Sequence, residues 1–145
     1  RAAEHGAELA PSLDDLLRRA DIVTIHVGLN EKSRGLLGAR ELGLLKPTAY
    51  LINTSRGPLV DEDALVTLLR EKRIAGAAID VYDREPLPSG HPFLALENTV
   101  LTPHLGYVSL QQYQMFYPQM VEDIDAWLRG SPIRAITPAR AKAPH

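Results

Sequence analysis

The stretch AYLINTSRGPLVDEDAL, residues 49–65, sets an apolar run, Tyr50-Leu51-Ile52, against an abrupt polar exit, Asn53-Thr54-Ser55-Arg56, and then a Gly57-Pro58 turn. A short run rich in strand formers followed by turn residues reads as a strand over 49–54. The next segment, LVDEDALVTLLREKR, is the clearest helix in the chain. Asp61 is placed to cap it, acidic residues fill its first turn and basic ones its last, and Ala64, Leu65, Leu68 and Leu69 share a face. The same order of apolar run and polar exit recurs downstream, in AGAAIDVYDREP at 75–86 and TVLTPHLGY at 99–107.

Upstream, RAAEHG reads as a helix end closed by Gly6, and PSLDDLLRRAD as a short helix with Ser12 as N-cap, Asp15 three residues on, and Leu13, Leu16 and Leu17 on its apolar face. DIVTIHV gives a strand over 22–27, and a helix is expected over 39–45, stopped by Lys46-Pro47. IAGAAIDVY and NTVLTPH are the next strands. Ser109 to Leu128 forms the last long helix, ended by Gly130-Ser131-Pro132. Strand and helix alternate, and the strands show little period-two alternation, which is the pattern of strands covered on both faces. The fold class is therefore α/β with a parallel sheet.

The totals narrow the function. The 145 residues suit one ordinary domain, and 45% hydrophobic with 23% charged residues is a globular composition. Sixteen basic against eighteen acidic residues give a net charge of −2, which favours neither a nucleic-acid nor an anionic-membrane partner. No apolar run approaches the ~20 residues of a membrane helix. The absence of cysteine removes disulfides and thiolate metal sites, and fits a reducing, cytoplasmic setting. His5, His26, His91, His104 and His145 are scattered without ligand spacing, so no metal site is expected; His26 reads as a satisfied histidine at a buried strand end. Starting at Arg1, the sequence reads as a piece of something longer, with 1–130 as a partial domain and 131–145 as a loosely held tail.

In an open parallel sheet, ligands bind beyond the carboxyl ends of the strands. Arg56 stands at one such end, Asp80 with Asp83, Arg84 and Glu85 at the next, and His104 at the third. Taken singly, each has a bland reading: a surface arginine on a carboxylate, a turn cap, a solvated loop, an isolated histidine. Together they supply an anion clamp, a proton carrier and a carboxylate that strengthens the carrier's hold on its proton. That trio suits reduction of a 2-keto acid, with hydride arriving at carbon as imidazolium protonates oxygen.

Taken in chain order, DIVTIHVGLNEKSRGLL, LINTSRGPLVDEDAL and GAAIDVYDREPLPSGHPFLALENTVLTPHLG resemble the D-isomer-specific 2-hydroxyacid dehydrogenases from about Ser12 to Pro132. The resemblance implies an incomplete Rossmann-like domain, the second part of a dinucleotide-binding domain, acting on a small 2-hydroxy or 2-keto acid. It implies Arg56 as the substrate-carboxylate arginine, Glu85 as the histidine's partner and His104 as acid/base. NAD or NADP would lie along Val27, Gly28, Thr54, Ser55, Arg56, Asp80, His104 and Gly106, and the assembly would be a homodimer. Two departures stand out. Gly28 replaces a usual proline, which should loosen one loop, and Tyr107 replaces a small residue beside the histidine turn. No Gly-x-Gly-x-x-Gly turn occurs anywhere in the chain. The isolated piece is accordingly expected to bind cofactor poorly and turn over nothing.

Two rival functions can be written. Ser55, Asp80 and His104 occur in the chain order of an α/β-hydrolase triad, but Asn53 stands where the nucleophile elbow needs glycine. A non-catalytic, NAD(H)-sensing interaction module would use a surface around Tyr107, Tyr113, Phe116 and Tyr117; the plainer reading packs these aromatics against the sheet or a second subunit.

Overall fold

The structure, a computed structural model, describes residues 3–136. Its contacts divide it into two compact units, parting between Gly106 and Tyr107. The first holds a four-stranded sheet in the order β1 (Ile22–Ile25), β2 (Tyr50–Asn53), β3 (Gly76–Ile79), β4 (Thr99–Leu101). Every neighbouring pair is parallel, with Ile25 beside Asn53, Asn53 beside Ile79 and Ile79 beside Leu101. All four carboxyl ends therefore open along one edge. The strands are shorter than the apolar runs that contain them.

The helices start where their caps dictate. Ser12 Oγ accepts from Asp15 N–H at 3.1 Å ahead of α1 (Leu13–Arg19), and Asp61 Oδ1 accepts from Ala64 N–H at 3.0 Å ahead of α3 (Glu62–Arg70). The helix expected over 39–45 is a shorter α2 (Ala39–Leu42), giving way at Gly43. The chain's opening is a single 3-10 turn, Ala3–His5, ended by Gly6 in the left-handed region. In α1 only Leu17 is buried, while Leu13 and Leu16 stay partly exposed.

The core lies on one face of the sheet. Val23, Ile25, Leu51, Ala77 and Ile79 pack with Leu17, Leu42, Leu65, Val66, Leu69 and Phe93. Burying side chains such as Leu17, Leu51 and Phe93 contributes about 1.5–3 kcal/mol each. On the other face Ile22, Tyr50 and Val100 are 63%, 53% and 64% exposed, so the expectation of strands covered on both faces is corrected. Burial alternates with period two in β1 and β2, whereas β3 is buried at three of its four positions. The sequence hid that alternation because the open face is itself apolar.

The second unit is the helix α4 (Leu110–Leu128), capped by Ser109 Oγ on Gln112 N–H and followed by Gly130 at positive φ. None of its residues is buried, and Tyr113, Phe116 and Tyr117 are exposed, with Tyr113 and Tyr117 edge-on at 5.4 Å. The tail expected from 131 onward falls, beyond residue 136, outside the described residues. No described helix is long and apolar enough to cross a membrane.

Candidate functional site

The edge shared by the strand ends carries the residues picked out in sequence, and the way each is held explains the local sequence. Asn53 closes β2 nearly fully buried. Its side-chain oxygen accepts from Ser55 N–H at 3.0 Å and its amide donates to Arg56 O at 3.0 Å. This Asx-type bracing shapes the Thr54–Arg56 turn. Ser55 Oγ donates to Val27 O at 2.6 Å, joining the exits of β1 and β2. Gly57 follows because nothing larger fits: a Cβ there would lie 2.1 Å from the carbonyl carbon of Tyr82 and 2.3 Å from its oxygen. The Arg56 turn is thus pressed against the backbone of the β3 exit.

Asp80 follows β3 and is 4% exposed. Its carboxylate accepts from Thr102 Oγ1 at 2.5 Å, Leu105 N–H at 2.8 Å and Gly106 N–H at 2.8 Å, while its carbonyl accepts from His104 N–H at 2.8 Å. Burial works hardest on this group, against ionisation. The three hydrogen bonds and the charge of His104 outweigh burial and hold the carboxyl below its ordinary range. Asp80 thereby fixes the turn that bears His104, whose own φ is +58° in the left-handed region.

His104 Nδ1 lies 2.7 Å from Glu85 Oε2, and Glu85 Oε1 accepts from Tyr82 N–H at 3.0 Å. The hydrogen bond with His104, the Tyr82 N–H and the positive charges of His104 and Arg56 lower the pKa of Glu85 against a smaller effect of burial. Tyr82, given no role by the sequence reading, is buried and directs its hydroxyl at both Ile79 O and Thr102 O, 3.0 Å each, tying the ends of β3 and β4. Burial, with the charge of Asp80, raises the pKa of its phenol. The Glu85–Pro86 peptide is cis. A cavity of about 570 Å³ opens beside the pair, and Pro86, Leu87, Leu94, Leu101 and Pro103 make its lining mainly apolar. Such a wall strengthens the electrostatic coupling of the His104–Glu85 contact.

His26 is corrected: it is exposed, with Nε2 3.0 Å from Thr24 Oγ1. Val27 and Gly28 stand exposed at the β1 exit, and a Cβ on Gly28 would meet nothing within 4 Å. Ser33 Oγ donates to Gly28 O at 2.8 Å and accepts from Asn30 N–H at 2.8 Å, which ties the following loop down. Among the described residues no three of His, Asp and Glu gather as a metal site.

Residues 1–106 match the model of the "D-isomer specific 2-hydroxyacid dehydrogenase, NAD binding domain" family. The chain belongs to that family. It is similar to a glyoxylate reductase of Thermofilum pendens, 45% identical over 118 residues, covering 81% of this chain and 35% of the relative. Among solved structures it resembles a phosphoglycerate oxidoreductase of Vibrio cholerae, with TM-score 0.82 and 33% identity over 89% of this chain and 41% of that one. A D-isomer specific 2-hydroxyacid dehydrogenase of Xanthobacter autotrophicus in complex with NADPH gives TM-score 0.68 and 39% identity, covering 84% and 50%. The chain spans a little over a third of the length of the glyoxylate reductases it matches, 35% to 38%.

Whether this rim suits the family's dinucleotide can be judged from its shape. Parallel strand ends in one row, open space at Gly28 and exposed Val27 and Thr54 leave room for a flat, extended ligand along the rim. For the phosphates the sequence offers no Gly-x-Gly-x-x-Gly turn.

Proposed function

We propose that this chain supplies the acid/base and substrate-anchoring part of a dehydrogenase that interconverts D-2-hydroxy acids and 2-keto acids. The observation that carries the reading is the 2.7 Å contact between His104 Nδ1 and Glu85 Oε2 at the carboxyl edge of a parallel sheet. With Nδ1 held by the carboxylate, the transferable proton is assigned to Nε2. The Arg56 guanidinium takes the substrate carboxylate in a bidentate pair and draws on the adjacent keto oxygen. His104 as imidazolium gives its proton to that oxygen and ends neutral; in the oxidative direction neutral His104 removes the hydroxyl proton, and Glu85 stabilises the cation formed.

A nicotinamide group, when bound, supplies or accepts the hydride at the substrate's second carbon. Val27, Gly28, Thr54, Ser55, Arg56, Asp80, His104 and Gly106 are the residues proposed to hold it, as NAD or NADP. Glyoxylate and hydroxypyruvate are the substrates to try first, given the glyoxylate reductases among the relatives. A homodimer in the cytoplasm is the proposed setting, on the strength of the family resemblance and the cysteine-free composition. Lacking a pyrophosphate turn, the 145 residues alone are proposed to bind cofactor weakly and to be inactive.

The hydrolase reading loses ground because the Ser55 hydroxyl donates to Val27 O and the Asp80 carboxylate serves Thr102, Leu105 and Gly106. The test is the loss of reduced-nicotinamide absorbance on adding each keto acid to the intact polypeptide. Turnover that disappears in His104→Gln supports the proposal. Turnover retained in His104→Gln would remove the histidine from the chemistry.

A further inference from the structure

Glu62 and His91 lie off the strand-end row, yet they grip the loop that bears Glu85. Glu62 sits in the first turn of α3 and His91 caps a 3-10 turn, Pro92–Ala95. His91 Nε2 is 2.8 Å from Glu62 Oε1, and each side chain is only 17% exposed. His91 Nδ1 accepts from Phe93 N–H at 3.3 Å, so the neutral ring carries its proton on Nε2 and donates it to Glu62. The ring also packs on Phe93, with centroids 4.9 Å apart.

The second oxygen of Glu62 accepts from Asp83 N–H at 3.1 Å. Immediately before it, Tyr82 N–H is taken by Glu85 Oε1, whose other oxygen meets His104. Two consecutive backbone donors are therefore held by two different glutamates, one facing His91 and the other His104. A shift of the turn that frees Asp83 N–H also moves Tyr82 N–H away from Glu85.

We infer that the Glu62–His91 pair is a positioning clasp for Glu85, fixing the Tyr82–Glu85 turn so that the carboxylate stays against His104. Neither residue touches the reacting atoms; both act through the Asp83 backbone. The inference rests on the assignment of His104 as acid/base. Arg34, Asp61, Asp63 and Asp83 share the surroundings of Glu62, and Arg56 and Asp80 those of the His104–Glu85 contact. The depressed pKa of Glu85, which depends on His104 and the Tyr82 N–H, offers a readout separate from turnover.

The experiment compares Glu62→Ala, His91→Phe, their double variant and His91→Gln in the intact polypeptide. His91→Phe keeps the ring on Phe93, and His91→Gln keeps a side-chain N–H for Glu62. Each of the first two should lower kcat for keto-acid reduction roughly tenfold while cofactor affinity stays within about twofold. The double variant should fall no further than the worse single one, since one clasp cannot be broken twice, and His91→Gln should restore most of the rate. In carbon-13 titration of glutamate carboxyls, the Glu85 midpoint should move up in Glu62→Ala and His91→Phe, as it should in His104→Gln. An unmoved midpoint with unchanged kcat overturns the clasp; so does a loss of kcat that only tracks lost cofactor binding and thermal stability. A wild-type polypeptide that binds the nicotinamide cofactor yet reduces no keto acid would sink the proposed function, while the carboxyl titration would still decide the clasp.

Discussion

Replacing Gly57 by alanine should test how tightly the Arg56 turn and the Glu85 loop are locked together. The new Cβ would stand 2.1 Å from the Tyr82 carbonyl carbon, 2.3 Å from its oxygen and 2.5 Å from Asp83 N. All three are backbone atoms, so no side chain can rotate away. Ordinary carbon contacts begin near ~3.5 Å, and the two loops must part by roughly 1 Å or more. Overpacking of this kind costs about 1–3 kcal/mol of stability. The larger effect should fall on the proposed chemistry: a displacement of ~1 Å between Arg56, the proposed carboxylate anchor, and the His104–Glu85 pair should lower kcat/KM on the order of 10²-fold. Steady-state kinetics with glyoxylate and a thermal melt of the intact polypeptide give both numbers. Gly90→Ala is the matched control, because a Cβ there meets nothing within 4 Å. Wild-type kcat/KM and an unchanged melting temperature for Gly57→Ala would refute the close approach and, with it, the coupling of the two loops.

Asp80→Asn should cost about 1–3 kcal/mol by thermal denaturation, since an amide cannot accept from Thr102, Leu105 and Gly106 without placing its own N–H groups against one of them. Asp80 and Glu85 both ionise more readily in the fold than in the unfolded chain. Their stabilising contribution is therefore complete above the ordinary carboxylate range and is lost as pH falls below about 4, and urea midpoints for Asp80→Asn should converge on those of the parent there. Asp83 has the opposite sign: burial, helped by Asp61 and Asp63 against Arg34, raises its pKa. Holding its ionised form at neutral pH costs the fold a little stability, so Asp83→Asn should be neutral to slightly stabilising, by no more than about 0.5 kcal/mol for so exposed a group, with the gain fading in acid.

Much of the frame could be read from local chemistry. Ser12 and Asp61 cap the helices they were expected to cap, because a cap acts over three residues and leaves its mark in the sequence; Ser109, read as the first residue of the last helix, is its cap. Arg56, Asp80 and His104 emerge on one edge because parallel strands put all their carboxyl ends there. What escaped is what acts through space. Glu62 and His91 are far apart in the chain, with no periodicity to join them, and the bracing by Asn53 and Tyr82 depends on backbone carbonyls and N–H groups that residue type does not reveal. The one-sided sheet escaped for another reason: alternation is legible only when the open face is polar, and here it carries Ile22, Tyr50 and Val100. Leu13 and Leu16 likewise obey helical spacing while remaining at the surface.

The positive φ of His104 sets the durability of the fold against the acid/base role proposed for that residue. An L-residue held there carries backbone strain of about 1–2 kcal/mol, which asparagine or glycine would largely release. Random substitution screened only for thermal tolerance would therefore relieve this strain by asparagine or glycine at 104, offset in part by loss of the Glu85 contact, and would discard the proton carrier proposed for the reaction. A histidine kept at that position against this strain fits the acid/base role proposed for it.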